Sequence, residues 1–180
     1  MSRIPLPEPE TLPAYFKAMH DGADPENDAA RSASRAFAVH PEFFERYMAF
    51  YYPFHTNDGV GLVEPRIKEL VRLRIATLNG CKLCKAARLD PIHVSEDEAA
   101  AGVDNVATAT SFTAREKAAI AYAEKMATAH HDITDEDVSA MRRLFSDAEF
   151  LELAMMTGQY IGFGRVLATL QLEVVACPID

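Results

Sequence analysis

The chain has 180 residues, of which 27 are acidic and 18 basic, giving a formal net charge of -9. The basic residues form no long cluster that could follow a phosphate backbone, so nucleic acid is not an expected partner. Neither the N-terminal segment MSRIPLPEPETLP nor any later stretch has the apolar run of about 20 residues that a membrane span requires. We therefore expect a cytoplasmic protein that does not contact membranes.

Helix-forming residues dominate the composition. Ala, Leu, Met and Glu are abundant, whereas Gly occurs 8 times and Trp is absent. Strand-forming runs are scarce, which predicts an all-α fold. The length suits one domain over residues 1–180. Within it, we expect residues 1–40 to form an N-terminal extension of peripheral helices and residues 41–175 to form the core.

The first half of the chain shows helical periodicity in three stretches. Residues near 11–20 and 29–50 have apolar residues at helical spacing, and His40-Pro41 is expected to separate two helices. The second of these helices runs into FYYPFH, an aromatic patch that we interpret as core packing. After the turn HTNDG, Pro65 begins a helix that Asn79-Gly80 ends. Its apolar side is made of Ile67, Leu70, Val71, Ile75 and Leu78.

The second half contains three helix starts. Two of them, Thr113 and Ser146, are each followed three positions later by a Glu, Glu116 or Glu149, which is capping-box spacing. The third, Thr134, begins the acidic turn TDED. The last helix is predicted from about Asp147 to Val174. It is apolar nearly all round and contains three glycines, so we expect it to be buried or to pack against another copy of the chain.

The most informative motif is the Cys-x-x-Cys pair formed by Cys81 and Cys84. Residues three apart in the first turn of a helix lie on one face, so their sulfurs can bond and separate without refolding. Free N–H groups and the helix dipole favour negative charge at that position, which stabilises a thiolate. The spacing therefore predicts a redox-active pair.

Two other interpretations of this pair stay open. The chain has only three cysteines, which fits a reducing compartment, where such pairs serve redox or metal chemistry. A zinc site would need further ligands, for which His93 or His130-His131 are candidates. Alternatively, the pair consists of unreactive buried thiols. We interpret the remaining cysteine, Cys177, as a partly buried or frayed terminal thiol.

Two charged residues flank the pair. Glu69, twelve residues before Cys81, is either a solvated surface carboxylate or a proton acceptor that faces the cysteines with its pKa raised by partial burial. Arg88 follows Cys84 by four residues and is predicted on the same helix face. It either pairs with Asp90 or another acid, or it holds Cys84 as a thiolate. A guanidinium exchanges no proton near neutral pH, so proton transfer must use another group.

The stretch from Glu69 to Arg88, together with FTAREKAAIAYAEKMATAHHDITDEDVSAMRRLFSDAEFLELAMM, resembles the carboxymuconolactone decarboxylase and alkylhydroperoxidase D-like superfamily over about residues 40–175. In its peroxidase branch a Glu precedes the Cys-x-x-Cys pair by twelve positions and a His follows the second Cys by four. Glu69, Cys81 and Cys84 match this pattern. Arg88 stands in place of that His, and Leu83 stands where alkylhydroperoxidase D has another His.

The resemblance implies an AhpD-like helical bundle that forms dimers, trimers or hexamers and needs no cofactor. It also implies reduction of small hydroperoxides by a dithiol reductant such as a lipoyl-bearing protein. Cys84 would attack the peroxide, Cys81 would resolve the product, and Glu69 would head a proton relay. Two alternatives remain: a lyase of the decarboxylase type in which the thiols are incidental, and a non-enzymatic oligomeric redox sensor.

Overall fold

The structure is a computed structural model, and it describes residues 2–26, 28–56, 60–102 and 111–172. Within these ranges the chain contains helices and no β-strand, which confirms the all-α prediction. The helices are α1 (Ala14–Gly22), α2 (Asp28–Phe37), α3 (Pro41–Thr56), α4 (Pro65–Leu78), α5 (Lys82–Ala86), α6 (Glu96–Gly102), α7 (Ala114–Thr128), α8 (Asp135–Arg142) and α9 (Asp147–Thr169), with 3-10 turns at Pro9–Thr11 and His130–Asp132.

Helix α4 lies at the centre of the bundle, packed against α7 and α9 and also touching α3 and α5. Its predicted apolar side is buried apart from Leu78, which is partly buried. Lys68, Glu69 and Arg72, on the other sides of the helix, are buried as well. Burial of charged side chains requires partners, because an isolated ion loses its hydration energy. The buried charged side chains of α4 are therefore expected to have polar partners. They face the Cys-x-x-Cys pair and α3.

The helix boundaries follow local signals. Pro65 is the first residue of α4, as predicted. Thr113, Thr134 and Ser146 are N-caps, and each forms a complete capping box with the residue three positions later. The N-terminal region also contributes to the main core, through Leu12, which follows the first 3-10 turn, and through Phe16 of α1.

Some predictions need correction or lie outside the described residues. Helix α9 ends at Thr169, since Leu170 caps it and Gln171 has a φ of 49°. The prediction that this helix continues to Val174 is therefore wrong. Val174 and Cys177 themselves, and the centre of the HTNDG turn, lie outside the described residues.

Candidate functional site

The two cysteines lie where α4 gives way to α5. Gly80, with a φ of 63°, turns the chain after α4, and Cys81 is the N-cap of α5. The Cys84 amide donates a hydrogen bond to Cys81 Sγ over 3.1 Å, and the two sulfurs form a disulfide with the Cα atoms 5.2 Å apart. The two thiols are therefore within bonding distance in the first turn, as their spacing predicted.

The two sulfurs differ in exposure. Cys81 is fully buried, in a small apolar cluster with Leu83 and Leu167. Cys84 is half-buried and lines a cavity of about 240 Å³. The cavity walls are mostly apolar and include Phe37, Met48, Tyr51, Arg72 and Tyr160. Of the two cysteines, Cys84 is thus the one that a small molecule can approach.

Glu69 is fully buried, so the interpretation as a solvated surface carboxylate is wrong. Arg72 Nε and Nη2 donate to its two oxygens over 2.7 and 2.8 Å. Burial alone would raise the pKa of Glu69, but the hydrogen bonds from Arg72 and the neighbouring His55 ring outweigh it and bring the pKa to about 2. The expectation of a raised pKa is therefore also wrong, and this carboxylate is ionised at neutral pH.

Arg72 links this carboxylate to the cysteine helix. Its Nη1 donates to the Cys84 carbonyl over 2.5 Å, and its Nη2 donates to the Ala87 carbonyl over 2.6 Å. Both carbonyls belong to the C-terminal end of α5, where no further helical turn can satisfy them. One guanidinium therefore fixes the position of Cys84 relative to Glu69.

Arg88 does not continue the cysteine helix, so its predicted place on the same helix face is wrong. Helix α5 ends at Ala86, and Ala87 is extended, with its carbonyl bound by Arg72. Arg88 still reaches the site: its Nε lies 3.5 Å from Glu69 Oε1, and it also pairs with the exposed Glu96. The Nε–H is not aligned with the Glu69 oxygen, so this contact is mainly electrostatic.

Two further side chains reach Glu69 from other helices. His55 of α3 is fully buried, and its Nε2 lies 3.2 Å from Glu69 Oε2. The ring N–H is not aligned well enough for a good hydrogen bond, which makes the contact chiefly an electrostatic one. His55 Nδ1 is hydrogen-bonded to the Tyr160 hydroxyl of α9 over 2.8 Å. The Tyr51 ring stacks parallel to His55, and Tyr160 meets it edge-on.

The site lacks the features of a metal centre in the described part of the chain. No group of three or more His, Cys, Asp or Glu side chains there is close enough to hold an ion. His93, one of the ligands considered for zinc, instead pairs with Asp90 at 2.7 Å. None of the described helices combines the length and the apolar character needed to cross a membrane.

No model of a known protein family matches the chain, and no curated protein sequence matches it. Solved structures do. A peroxidase-related protein from Ralstonia eutropha, described as an alkylhydroperoxidase AhpD core, has a TM-score of 0.75 at 22% identity, over 99% of this chain and 93% of its own. A peroxidase-related protein from Silicibacter has a TM-score of 0.76 at 22% identity, over 94% and 90%. Both proteins are uncharacterised.

The chain has the AhpD-like fold. A third structure agrees, that of an Agrobacterium tumefaciens protein of unknown function that its description relates to the antioxidant defence protein AhpD. Its TM-score is 0.61 at 22% identity, over 81% of this chain and 97% of its own. The resemblance recognised in the sequence is thus confirmed for the fold. In this AhpD-like bundle α4 and α5 carry the motif, while α3 and α9 supply the remaining polar groups.

Sequence reasoning missed three residues of this site: Arg72, His55 and Tyr160. Arg72 could have been found, because a Glu and an Arg three positions apart on a helix form an ion pair. His55 was assigned to aromatic core packing, and it is indeed buried against Tyr51. Its contact with Tyr160 joins residues 105 positions apart, and no local pattern in the sequence signals it.

Proposed function

We propose that the protein is a thiol-dependent oxidoreductase, an alkylhydroperoxidase-like peroxidase that cycles Cys81 and Cys84 between dithiol and disulfide. The observation that carries the proposal is the disulfide between these residues, with one sulfur buried and the other on a cavity. Cys84 is assigned the attack on the peroxide because it faces the cavity. Cys81 is assigned the resolving role because it is enclosed.

The charges around Cys84 favour its thiolate. Arg72 and Arg88 place two positive charges against the one buried negative charge of Glu69, while Glu96, the second acid beside Arg88, is exposed and screened by solvent. Arg72 is bound to the backbone of Cys84 itself. A nearby cation lowers the pKa of a thiol, and the thiolate is the nucleophile. In this proposal Glu69 does not remove a proton, because a carboxylate with a pKa of about 2 is a very weak base, but holds the two guanidiniums in place.

The proposed cycle has three steps. The Cys84 thiolate attacks the outer oxygen of a hydroperoxide, the O–O bond breaks, and sulfenic acid and an alkoxide form; the alkoxide takes up one proton to become an alcohol. The Cys81 thiol then attacks the sulfenic acid, and the disulfide forms with release of water. A dithiol reductant, for which a lipoyl group is the proposed class, restores both thiols and becomes a cyclic disulfide.

Peroxide consumption in the presence of dihydrolipoamide tests the proposal. All variants carry Cys177→Ser, so that only the pair contributes thiols, and this parent is expected to retain full activity. Cys84→Ser should abolish turnover. Cys81→Ser should still form a sulfenic acid that dimedone traps, but no internal disulfide. Equal rates for the parent and Cys84→Ser would disprove the catalytic role. Absence of turnover, with a change in mass of the assembly on oxidation, would instead favour the redox sensor.

We also propose that the protein forms a homo-oligomer, as the sequence suggested. Val39, Phe43 and Val166 are exposed apolar residues, of which Phe43 is 64% exposed. They border one apolar groove between α3 and α9, in which Gly162 leaves open space. Apolar surface of this kind is commonly covered by another subunit. Light scattering should give a multiple of the 19.9 kDa chain mass, and Val166→Asp should shift it towards the monomer.

A further inference from the structure

Tyr160, His55 and Glu69 lie in a row that begins at the cavity and ends in the core. Tyr160 lines the cavity that also contains Cys84. Its hydroxyl is 2.8 Å from His55 Nδ1, and His55 Nε2 is 3.2 Å from Glu69 Oε2. All three side chains are at least 96% buried, since Tyr160 is 4% exposed and the other two are fully enclosed. Burial of such a polar set is costly unless its members satisfy one another.

The proposed peroxidase cycle leaves one proton unassigned. Cleavage of the O–O bond releases an alkoxide, which is a strong base and a poor leaving group unless a proton reaches it. Arg88 and Arg72 cannot supply that proton, because guanidiniums stay protonated near neutral pH. Glu69 has none to give, because its pKa is about 2. Three tyrosines, Tyr51, Tyr52 and Tyr160, line the cavity with Cys84. The hydroxyl of Tyr160 is hydrogen-bonded to His55, a group that can return a proton to it.

We propose that Tyr160 is the acid: it protonates the departing alkoxide, and His55 gives Tyr160 a proton in return. The Glu69 carboxylate stabilises the protonated form of His55 that supplies this proton. This inference rests on the proposed peroxidase function and assigns the proton step within it. Tyr160 is assigned the catalytic role because it lines the cavity that contains Cys84, whereas His55 and Glu69 act through it.

Two protons move in this step. The reactive form of the site is the one in which His55 is an imidazolium, whose Nδ1–H donates to the Tyr160 oxygen and whose Nε2–H faces the Glu69 carboxylate. As the O–O bond breaks, the alkoxide takes the Tyr160 proton and Tyr160 takes the proton on His55 Nδ1. The products are an alcohol, neutral Tyr160 and neutral His55 with its remaining proton on Nε2. Solvent protons return to His55 through the cavity and Tyr160.

The surroundings of His55 make its imidazolium a ready proton donor. Burial lowers the pKa of His55, and the neighbouring charges of Arg72 and Lys68 lower it further. The Glu69 carboxylate acts in the opposite direction and raises it. The other titratable groups that face the ring are Tyr51 and Tyr160, and burial raises the pKa of both. The net effect is a His55 pKa below its ordinary value, so the cation beside Glu69 is a minor form at neutral pH and loses its proton readily.

Two peroxides with different leaving groups test the assignment. tert-Butyl hydroperoxide releases a strongly basic alkoxide and needs the acid, whereas peracetic acid releases acetate, which leaves without a proton. In the Cys177→Ser background, the reduced enzyme is mixed with each peroxide, and disulfide formation in the first turnover is followed by rapid acid quenching and thiol alkylation. Tyr160→Phe should slow the reaction with tert-butyl hydroperoxide about 100-fold and leave the reaction with peracetic acid unchanged.

Tyr47→Phe is the matched control. Tyr47 is also a tyrosine whose pKa burial raises, to about 12, and it stacks on Tyr51, but it does not line the Cys84 cavity. Both rates should match the parent in this variant. His55→Gln is the second test variant and carries the experiment if Tyr160→Phe does not fold. Gln can still hydrogen-bond to Tyr160 but relays no proton, so the same selective loss is expected.

The outcomes separate this inference from the proposed function. An equal loss with both peroxides in Tyr160→Phe would overturn the acid role in favour of a structural one, and unchanged rates with both would overturn it as well. In either case the proposed peroxidase function stands, because the parent still reacts. A parent that forms its disulfide with neither peroxide would overturn the proposed function and the acid role together.

Discussion

Replacing Glu69 by Gln removes the negative charge that lies between Arg72 and Arg88. Breaking one partner out of a buried ion pair leaves an uncompensated charge and costs about 3 to 5 kcal/mol. The pKa of Glu69 gives an independent figure: a fall from 4.5 to about 2 on folding corresponds to about 3 kcal/mol at neutral pH. Both lines of reasoning predict a large loss of stability for Glu69→Gln.

The dependence on pH has a definite sign. A carboxylate whose pKa is lower in the folded chain stabilises it above the unfolded pKa of 4.5, and this contribution disappears as the pH falls towards about 2. The free energy of unfolding, measured by urea denaturation, should therefore differ most between wild type and Glu69→Gln at pH 6 to 7 and should converge at acid pH. The free energies of unfolding of the two proteins can be compared in this way at every pH at which both fold.

Glu98→Gln is the matched control. Its pKa is also about 2, lowered first by Arg66, but its side chain is 28% exposed. A solvent-screened pair contributes little, so this variant should lose less than about 1 kcal/mol. If Glu69→Gln is too unstable to measure, adding Arg72→Met removes the stranded charge and should recover part of the loss. Equal effects of the two single Glu→Gln changes would refute the reasoning.

Three further outcomes follow from packing and capping. Gly164→Ala should destabilise the protein by about 1 to 3 kcal/mol, because a Cβ there would lie 2.6 Å from Asn79 Nδ2, which is bonded to α9 carbonyls. Gly162→Ala, where nothing lies within 4 Å, should instead stabilise α9 by about 0.5 to 1 kcal/mol. Ser146→Ala should cost about 1 kcal/mol, since it removes the hydroxyl that accepts from the Glu149 amide. Thermal or urea unfolding measures all three, and a Gly164→Ala variant as stable as wild type would contradict the first.

The parts of the fold set by local signals could be predicted from the sequence. Pro65 at the start of α4 and the capping box of Ser146 each depend on residues within four positions, so their helix starts follow from backbone hydrogen bonding alone. The end of α9 was not predicted. The sequence stays apolar beyond Thr169, and periodicity alone does not show that Gln171 adopts a left-handed conformation.

The candidate site also contains some features that local sequence signals predict and others that they do not. The Cys81–Cys84 spacing predicted sulfurs in bonding range because one helical turn determines it. The position of Arg88 was mispredicted because α5 stops after five residues, at a point where Arg72 binds the carbonyls of its last turn. His55 and Tyr160 meet only because α3 and α9 pack on the same side of α4. Tertiary contacts of this kind have no local sequence signature.

Arg72 takes part both in an ion pair within α4 and in the tertiary contact between α4 and α5. Replacing it by Lys tests its role in that tertiary contact. Its guanidinium binds both Glu69 oxygens and, at the same time, the Cys84 and Ala87 carbonyls. An ammonium cannot span these positions, so at least one buried carbonyl loses its partner, at a cost of about 1 to 3 kcal/mol. Hydrogen exchange of the Ala87 amide, which donates to Leu83, should accelerate about tenfold or more.

Arg74→Lys provides the comparison, because it makes the same chemical change two residues further along α4. Arg74 faces α7, where it pairs with Glu124 at 3.0 Å. Its replacement should leave amide exchange in α5 unchanged. If Arg72→Lys raised exchange throughout the bundle and no more in α5 than elsewhere, Arg72 would be a general core residue. A selective effect on α5 would mean that the buried ion pair on α4 determines where the Cys84 sulfur lies.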